Sequence, residues 1–396
     1  CAINLIENYN LDVVLLEAGK IGWGASSRNG GFCSFPPIKT SFKNLQKIYG
    51  KDETKKFFKN SVEGSNYTKD IISKYNIDCE VTGDSNFILA HHPNKFKQIK
   101  EQAEVYKNEF GIESQIYSKE EFKTIGHGGT EQFGALSYKP GFAINPLKFV
   151  NGIAKYAISK KLKIFEHSHV SKIHKNNDNY ILKTKEGSVS TKKIVVATNG
   201  FYQEGLVPQM NSRILPVISN IIVTRKLTKD EIDLHNFKTF SPIANTKNLL
   251  YYYRKLPDNR ILFGTRGDFI GSDQSNLNRS KIMERFLKNI FPSWSNISID
   301  YNWRGLIAMS QKLTPSIGKI ENEEIYYGFG YHGVGVSSAP WTGKQLSKIV
   351  FSSNSKDLNV SKIYKGLPKK FIFPKLRIFY FRLAVMFYNI KDKLNI

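Results

Sequence analysis

The first seventeen residues carry two successive hydrophobic patterns. Ala2, Leu5 and Ile6 share one helical face of the stretch from Cys1 to Tyr9, with no capping residue before them, which predicts the tail of a helix. After a break at Asn10, the run Leu11-Asp12-Val13-Val14-Leu15-Leu16-Glu17 is apolar, β-branched and closed by a carboxylate. That pattern predicts a buried parallel strand with Glu17 at its C-terminal end. Residues 79–137 read as strand, helix from Pro93 to Phe110, and strand. Residues 211–300 are rich in alternating strands, notably Arg213 to Thr224 and Asn259 to Gly264. In Leu249 to Arg254 a period of two puts Tyr251 and Tyr253 on one face and Tyr252 and Arg254 on the other. Near the end, Glu324 to Tyr327 predicts a short strand, Gly328, Gly330, Gly333 and Gly335 a turn, and Val336 to Lys348 a helix. Interleaved strands and helices of this kind define an α/β class.

Composition narrows the field. At 396 residues, 40% hydrophobic and with 29 glycines, the chain is globular, and disordered, collagen-like and disulfide-stapled classes are excluded. The net charge of +24 changes the picture less than it first suggests. Of 58 Lys and Arg only 11 are Arg, and the lysines spread over the whole length, a diffuse surface charge rather than a nucleic-acid reader. Cys1, Cys33 and Cys79 form no CxxC pair and have no histidine at ligand spacing, so neither metal nor disulfide is expected and a cytoplasmic setting fits. No apolar run reaches the length of a spanning helix.

The chemistry begins at Glu17. In dinucleotide-binding βαβ units a carboxylate at this strand end accepts hydrogen bonds from the ribose hydroxyls. The glycine-rich turn that precedes such a strand is expected upstream of Cys1, so the sequence reads as truncated by about one strand and one turn. Directly after Glu17 and Ala18, Gly22-Trp23-Gly24-Ala25-Ser26-Ser27-Arg28-Asn29-Gly30-Gly31 combines four glycines, two hydroxyls and a cation. Such a segment brings backbone N–H groups and a guanidinium close to a pyrophosphate.

The run DVVLLEAGKIGWGASSRNGG resembles the second strand and flavin loop of the FAD-dependent D-amino acid oxidase superfamily, in its glycine oxidase, sarcosine oxidase and γ-glutamylputrescine oxidoreductase branch. Gly141 to Lys175 resembles that family's Asn-Pro helix start, amphipathic helix and FAD-contacting strand around Val170. Lys192 to Gly200 resembles the strand and turn that close over the adenosine side, and Trp303 to Lys344 the last flavin-binding unit. The resemblance implies a Rossmann-like FAD-binding domain of glutathione-reductase type, discontinuous over 1–78, 138–210 and 301–365. An antiparallel-sheet α+β substrate domain would span 79–137 and 211–300. It implies FAD contacts from Glu17, Ala18, Ser26, Ser27, Arg28, Asn29, Gly30, Gly31, Val170, Ala197, Thr198, Asn199, Gly200, Gly328, Gly330, Gly333, Val334, Gly335 and Val336. The FAD should be non-covalent, since Arg304 to Met309 contains no cysteine and Arg28-Asn29 stands where some relatives carry a histidine.

Substrate contacts rest on fewer signals. Arg254 is placed either to pair with a substrate carboxylate or as a cation on an aromatic strand, with Tyr252 beside it; Arg266 and Arg304 are similar candidates. His332, inside the glycine turn, is either a flavin-side group or turn packing. The expected activity is oxidation of the C–N bond of an amine or amino acid, with oxygen or a quinone as electron acceptor. A nicotinamide-linked dehydrogenase and a non-catalytic scaffold are the rivals. Residues 366–396 mix aromatic and basic side chains and predict an amphipathic helix after Pro374, either docked on its own domain or lying peripherally on an anionic membrane.

Overall fold

The computed structural model describes residues 1–394 apart from 37 and 269, so the last two residues of the expected terminal helix lie outside the described residues. The opening helix, Ala2–Tyr9, stops at Asn10 in the left-handed conformation (φ 51°), and the strand that follows is Val14–Leu16, shorter than the apolar run that announced it. It pairs in parallel with Lys163–Phe165. A second parallel pair joins Ile194–Val196 to Ile325–Phe329, and Ser316–Lys319 adds an antiparallel strand on its far side. Among the described residues, Val14–Leu16 and Ile194–Val196 each have a strand partner on one edge alone. A three-stranded meander over Lys172–Asn176, Asn179–Lys183 and Ser188–Thr191 completes this unit.

The rest of the chain builds an eight-stranded sheet. Its spatial order is Ile299–Met309, Leu215–Thr224, Ile261–Asp268, Tyr251–Lys255, Ile243–Asn245, Asn86–Leu89, Ala135–Tyr138 and Ser114–Tyr117. Neighbours are antiparallel except Ile243–Asn245 with Asn86–Leu89. The period-two reading of the tyrosine strand holds. Tyr251 and Tyr253 enter a core with Phe237, Phe263, Met283, Phe291 and Trp294, under the helix Asp273–Ile290. Tyr252 packs on the opposite face. Capping boxes at Ser118/Glu121 and Thr228/Glu231 start two of the short helices on this sheet.

Two long helices fix the geometry of the first unit. Lys51–Lys74 crosses Gly335–Ser352 at Gly64, where an added Cβ would stand 3.1 Å from the Ser337 carbonyl oxygen. One turn on, the Thr68 hydroxyl donates to the Gly64 carbonyl at 3.0 Å and to the Val336 carbonyl at 3.2 Å. Glycine is needed here for backbone approach, not for an unusual φ. The predicted helix from Val336 therefore begins one residue earlier and runs four residues further than its periodicity showed, because packing continues past Lys348 through Ile349 and Val350.

Gly64→Leu should lower stability by about 1–3 kcal/mol in urea unfolding, the usual cost of forcing bulk into a close helix contact. Gly187→Ala, where no atom lies within 4 Å of the added methyl, should stay within about 0.5 kcal/mol of the parent.

Candidate active site

A cavity of about 2380 Å³ is lined by residues of both units, from the open edges of the two parallel pairs to the face of the large sheet that carries Tyr252. Glu17 stands where the first strand ends, its N–H donating to the Phe165 carbonyl at 2.9 Å. Its carboxylate accepts from the Gly19 N–H at 2.8 Å, which fixes it beside Ala18 on the cavity wall. Of the following loop, Ser26, Arg28, Asn29 and Gly30 line the cavity, and the Arg28 guanidinium stands 5.2 Å from the centre of the Trp23 ring.

Ser27 and Gly31 have a different task. The Ser27 hydroxyl turns back onto the Gly22 carbonyl, and Gly31 (φ 77°) sits so close to Ile144 that a Cβ would lie 1.9 Å from its carbonyl oxygen. Neither lines the cavity. Both hold the loop in shape, together with Asn29, whose amide donates to the Ala25 and Ser26 carbonyls and accepts from the Gly31 N–H.

Val170 and all four residues from Ala197 to Gly200 reach the cavity. The Asn199 side chain accepts from the Gly330 N–H at 3.0 Å, so the turn after one strand is tied to the glycine turn after its parallel neighbour. Gly330 (φ 78°) serves that link and is absent from the lining, whereas Gly328, Gly333, Val334, Gly335 and Val336 line it. Helix Gly335–Ser352 begins there with no capping side chain and no acid in its first turn. Its free N–H groups and positive dipole end meet the cavity. A Cβ at Gly24 or Gly335 would come no nearer than 3.6 Å to another side chain, so at both places the missing methyl leaves room for a bound group.

The same cavity is also lined by Tyr252, Arg266, His332 and Lys39. The Tyr252 hydroxyl pairs with Ser219 Oγ at 2.9 Å, and its ring lies over Gly264, where a Cβ would fall 2.0 Å from it. Burial raises the Tyr252 phenol above its ordinary value. His332, fully buried and at φ 51°, has Nδ1 3.3 Å from Met309 Sδ and Nε2 3.5 Å from Ser310 Oγ. Burial, with Lys39, Arg266 and Lys312 adding repulsion, pushes its pKa down to about 3, so the imidazole is neutral. Arg266 donates to the His332 carbonyl at 3.4 Å, and its buried Nε has no partner.

Two arginines expected at the substrate lie elsewhere. Arg254 is buried beneath the glycine loop, where Nη2 donates to the Ile144 carbonyl at 2.7 Å, and it does not line the cavity. Arg304 does not line the cavity; its guanidinium pairs with Asp273 at 3.0 Å at the start of the helix Asp273–Ile290. Lys39 was not among the expected site residues. Nothing in its local pattern separates it from the other lysines, and it reaches the cavity because its own N–H is anchored to the Leu313 carbonyl at 3.0 Å. Among the described residues, no cluster of His, Cys, Asp or Glu is arranged to hold a metal ion.

The family model described as FAD-dependent oxidoreductase (DAO) matches residues 1–349. The chain belongs to the DAO family of FAD-dependent oxidoreductases. Similar proteins include a probable oxidoreductase, OrdL, of Haemophilus influenzae, 28% identical over 93% of this chain and 85% of the relative. Gamma-glutamylputrescine oxidoreductase of Escherichia coli is 26% identical over 100% of this chain and 90% of the relative. The crystal structure of glycine oxidase from Geobacillus kaustophilus matches with a TM-score of 0.68 at 16% identity, over 87% of this chain and 88% of that one. The fold is thus the Rossmann-like FAD-binding fold with a large mixed sheet. In this flavoprotein family the cavity's residues fit FAD: Glu17 at a strand end for a ribose, the glycine loop and an uncapped helix N-terminus for negative charge.

Buried neutral histidines make the DAO-family protein acid-sensitive. His332 and His127 both have folded pKa values of about 3, below the roughly 6.5 of an exposed imidazole. The unfolded chain therefore takes up protons first, and stability falls as pH drops below about 6.5, by up to ~1.4 kcal/mol per pH unit for each histidine. Urea midpoints measured from pH 7 to pH 5 should decline, and His127→Gln should make that decline shallower.

Proposed function

We propose that this chain oxidises the C–N bond of a carboxylate-bearing amine or amino acid to an imine, which water then hydrolyses. The observation that carries this is the meeting of Arg266, Tyr252 and neutral His332 at the end of the cavity reached by the glycine turn, with no carboxylate paired to Arg266 among the described residues. FAD, when bound, supplies the acceptor for the hydride leaving the substrate carbon. The protein's own share is positioning. Arg266 offers a guanidinium to the substrate carboxylate, the Tyr252–Ser219 pair fixes one wall, and His332 brings no positive charge against a substrate ammonium. The unacidified start of helix Gly335–Ser352 stabilises negative charge at the cofactor end.

The cofactor is held non-covalently, since the cavity-facing residues Gly305, Leu306, Ile307 and Ala308 offer no thiol. The domains divide as 1–78, 138–210 and 301–365 for FAD, and 79–137 with 211–300 for substrate. The electron acceptor is oxygen or a quinone.

The C-terminal helix carries a second reading, peripheral contact with an anionic bilayer from the cytoplasmic side. Arg377–Leu394 is tethered by an Arg377–Glu204 ion pair, by Asp392 accepting from the backbone of Asn248 and Leu249, and by buried Val385. Between those tethers Phe379, Met386, Phe387 and Ile390 are 54–61% exposed. Lys369, Lys370, Lys375, Arg377 and Lys391 accompany them. Apolar exposure with basic neighbours is the pattern of a helix lying in a lipid interface. No helix among the described residues is long and apolar enough to cross a membrane.

Visible absorbance before and after acid precipitation should show a flavin that leaves with the supernatant and bleaches with one amine of a panel; a protein that cannot be loaded with FAD would give way to the scaffold reading. Arg266→Gln should cost about 2–4 kcal/mol in kcat/KM for the preferred amino acid. Anionic liposomes should float the intact chain and lose one cut at Lys369; equal flotation of the two removes the membrane contact.

A further inference from the structure

Arg266 stands at a weak point of its strand. Tyr251–Lys255 pairs with Ile261–Asp268 only as far as Thr265, opposite Tyr251, so Arg266 lies one residue past that pairing. On the other edge Ser219 pairs with Arg266 but Ile218 pairs with Asp268, a register shift that skips one residue directly after Arg266. An offset of this kind disrupts the local ladder, bends the strand and re-aims the side chain beside it. The Arg266 guanidinium nevertheless has a defined place: Nη2 lies 3.4 Å from the His332 carbonyl oxygen and 2.8 Å from where a Cβ on Gly333 would stand. Something other than the ladder must hold the backbone that aims it.

That support comes from behind the sheet. Ile261 and Phe263 enter the core beneath the helix Asp273–Ile290, and Leu262 faces the opposite side. By alternation Thr265 continues the helix side and Arg266 the cavity side. From the helix, Arg279 Nη2 donates to the Arg266 carbonyl at 2.5 Å and to the Thr265 hydroxyl at 3.5 Å, and that hydroxyl itself donates to the Arg266 carbonyl at 3.3 Å. Asp268, just past the offset, accepts from the Ser275 hydroxyl at 2.6 Å and from the Ile270 N–H at 3.0 Å, which fastens the strand end to the same helix. Arg279 does not line the cavity, and its Nε is buried without a partner. An apolar side chain of similar volume would avoid that cost, so packing by itself does not call for an arginine here.

We propose that Arg279 is a positioning residue: by holding the Arg266 carbonyl from the far side of the sheet it fixes the offset strand end, and with it the direction in which the Arg266 fork meets a substrate carboxylate. This rests on the reading that Arg266 receives that carboxylate. It adds to that reading a residue outside the cavity on which the selection of carboxylate-bearing amines depends.

Binding can be read without turnover. FAD-loaded full-length protein is titrated with acetate and with acetamide, its neutral counterpart, while the flavin absorbance is followed. Acetate should bind at least about tenfold more tightly than acetamide. Arg279→Met should bring that ratio down to about one to three, and Arg279→Lys, which keeps a donor for the carbonyl, should restore most of it. In an Arg266→Gln background the Arg279→Met change should move the ratio by less than about twofold, because the two residues act as one unit. A change that only loosened the fold would weaken both ligands alike, so an unchanged ratio in Arg279→Met overturns the proposal. If Arg279→Met does not take up FAD, Thr265→Val, which removes the second donor to the same carbonyl, should lower the ratio at least about twofold, and an unchanged ratio there overturns the proposal. A ratio that Arg266→Gln leaves untouched removes the carboxylate reading of Arg266 and this inference with it, whereas a ratio lost in Arg266→Gln but kept in Arg279→Met removes this inference alone. If no amine is oxidised but the ratio depends on both arginines, the proposed reaction falls and the positioning role stands.

Discussion

The start of helix Gly335–Ser352 is the constraint around which the rest is arranged. Its first N–H groups must remain free of capping side chains and face a cavity, yet the helix must be held firmly from behind. The protein meets both demands with contacts to the backbone of the helix and of the turn before it. Gly64 lets Lys51–Lys74 approach the Ser337 carbonyl, Thr68 donates to the carbonyl of Val336, and the turn before the helix is fixed by Gly330 donating to Asn199. Gly64 and Thr68 lie outside the cavity lining, whereas Asn199 both lines it and holds the turn. The helix is held from behind by residues outside the cavity, and its dipole end stays available for a ligand's negative charge.

A division of labour runs through the glycine loop as well. Of ten residues that look alike in composition, some face the cavity and some close the loop on itself. Ser27, Gly31 and the amide of Asn29 satisfy backbone groups that would otherwise be left unpaired in a tight turn. Arg28 is left to line the cavity, its guanidinium steadied over Trp23 and its backbone carbonyl receiving the Trp303 indole. The Trp303 contact binds the loop to the long strand Ile299–Met309, whose later residues Gly305 to Ala308 also form cavity wall. The glycine loop and the large sheet are in this way joined along one wall of the cavity.

Around His332, positive charge gathers without a carboxylate paired to Arg266 among the described residues. Arg254 satisfies one of its groups on the Ile144 carbonyl and supports the loop from below. Arg304 is neutralised at the surface by Asp273. Arg266 and Lys39 are what remain, and the neutral His332 beside them keeps the total from rising further. A site built in this way favours anionic ligands through what it lacks as much as through what it contains.

Most of the cofactor half was legible in the sequence because it is local. A strand that ends on Glu17, a loop rich in glycine at residues 22–31 and a glycine turn feeding a helix at Gly335 are each specified by neighbours within a few positions, and their order along the chain carried the family resemblance. The alternation in Tyr251 to Arg254 likewise separated core tyrosines from Tyr252 by parity alone. Which of the strand arginines lines the cavity was not local. Arg254, Arg266 and Arg304 look equivalent on strands, and only the stacking of the sheet against the glycine loop buries the first, aims the second at the cavity and leaves the third paired with Asp273. Lys39 belongs wholly to the tertiary structure: one backbone hydrogen bond to Leu313, 274 positions away in the chain, brings an ordinary lysine to the cavity wall. The sequence determined the elements and the family resemblance, because those depend on short-range pattern; which cations line the cavity was decided by long-range packing, which no local pattern encodes.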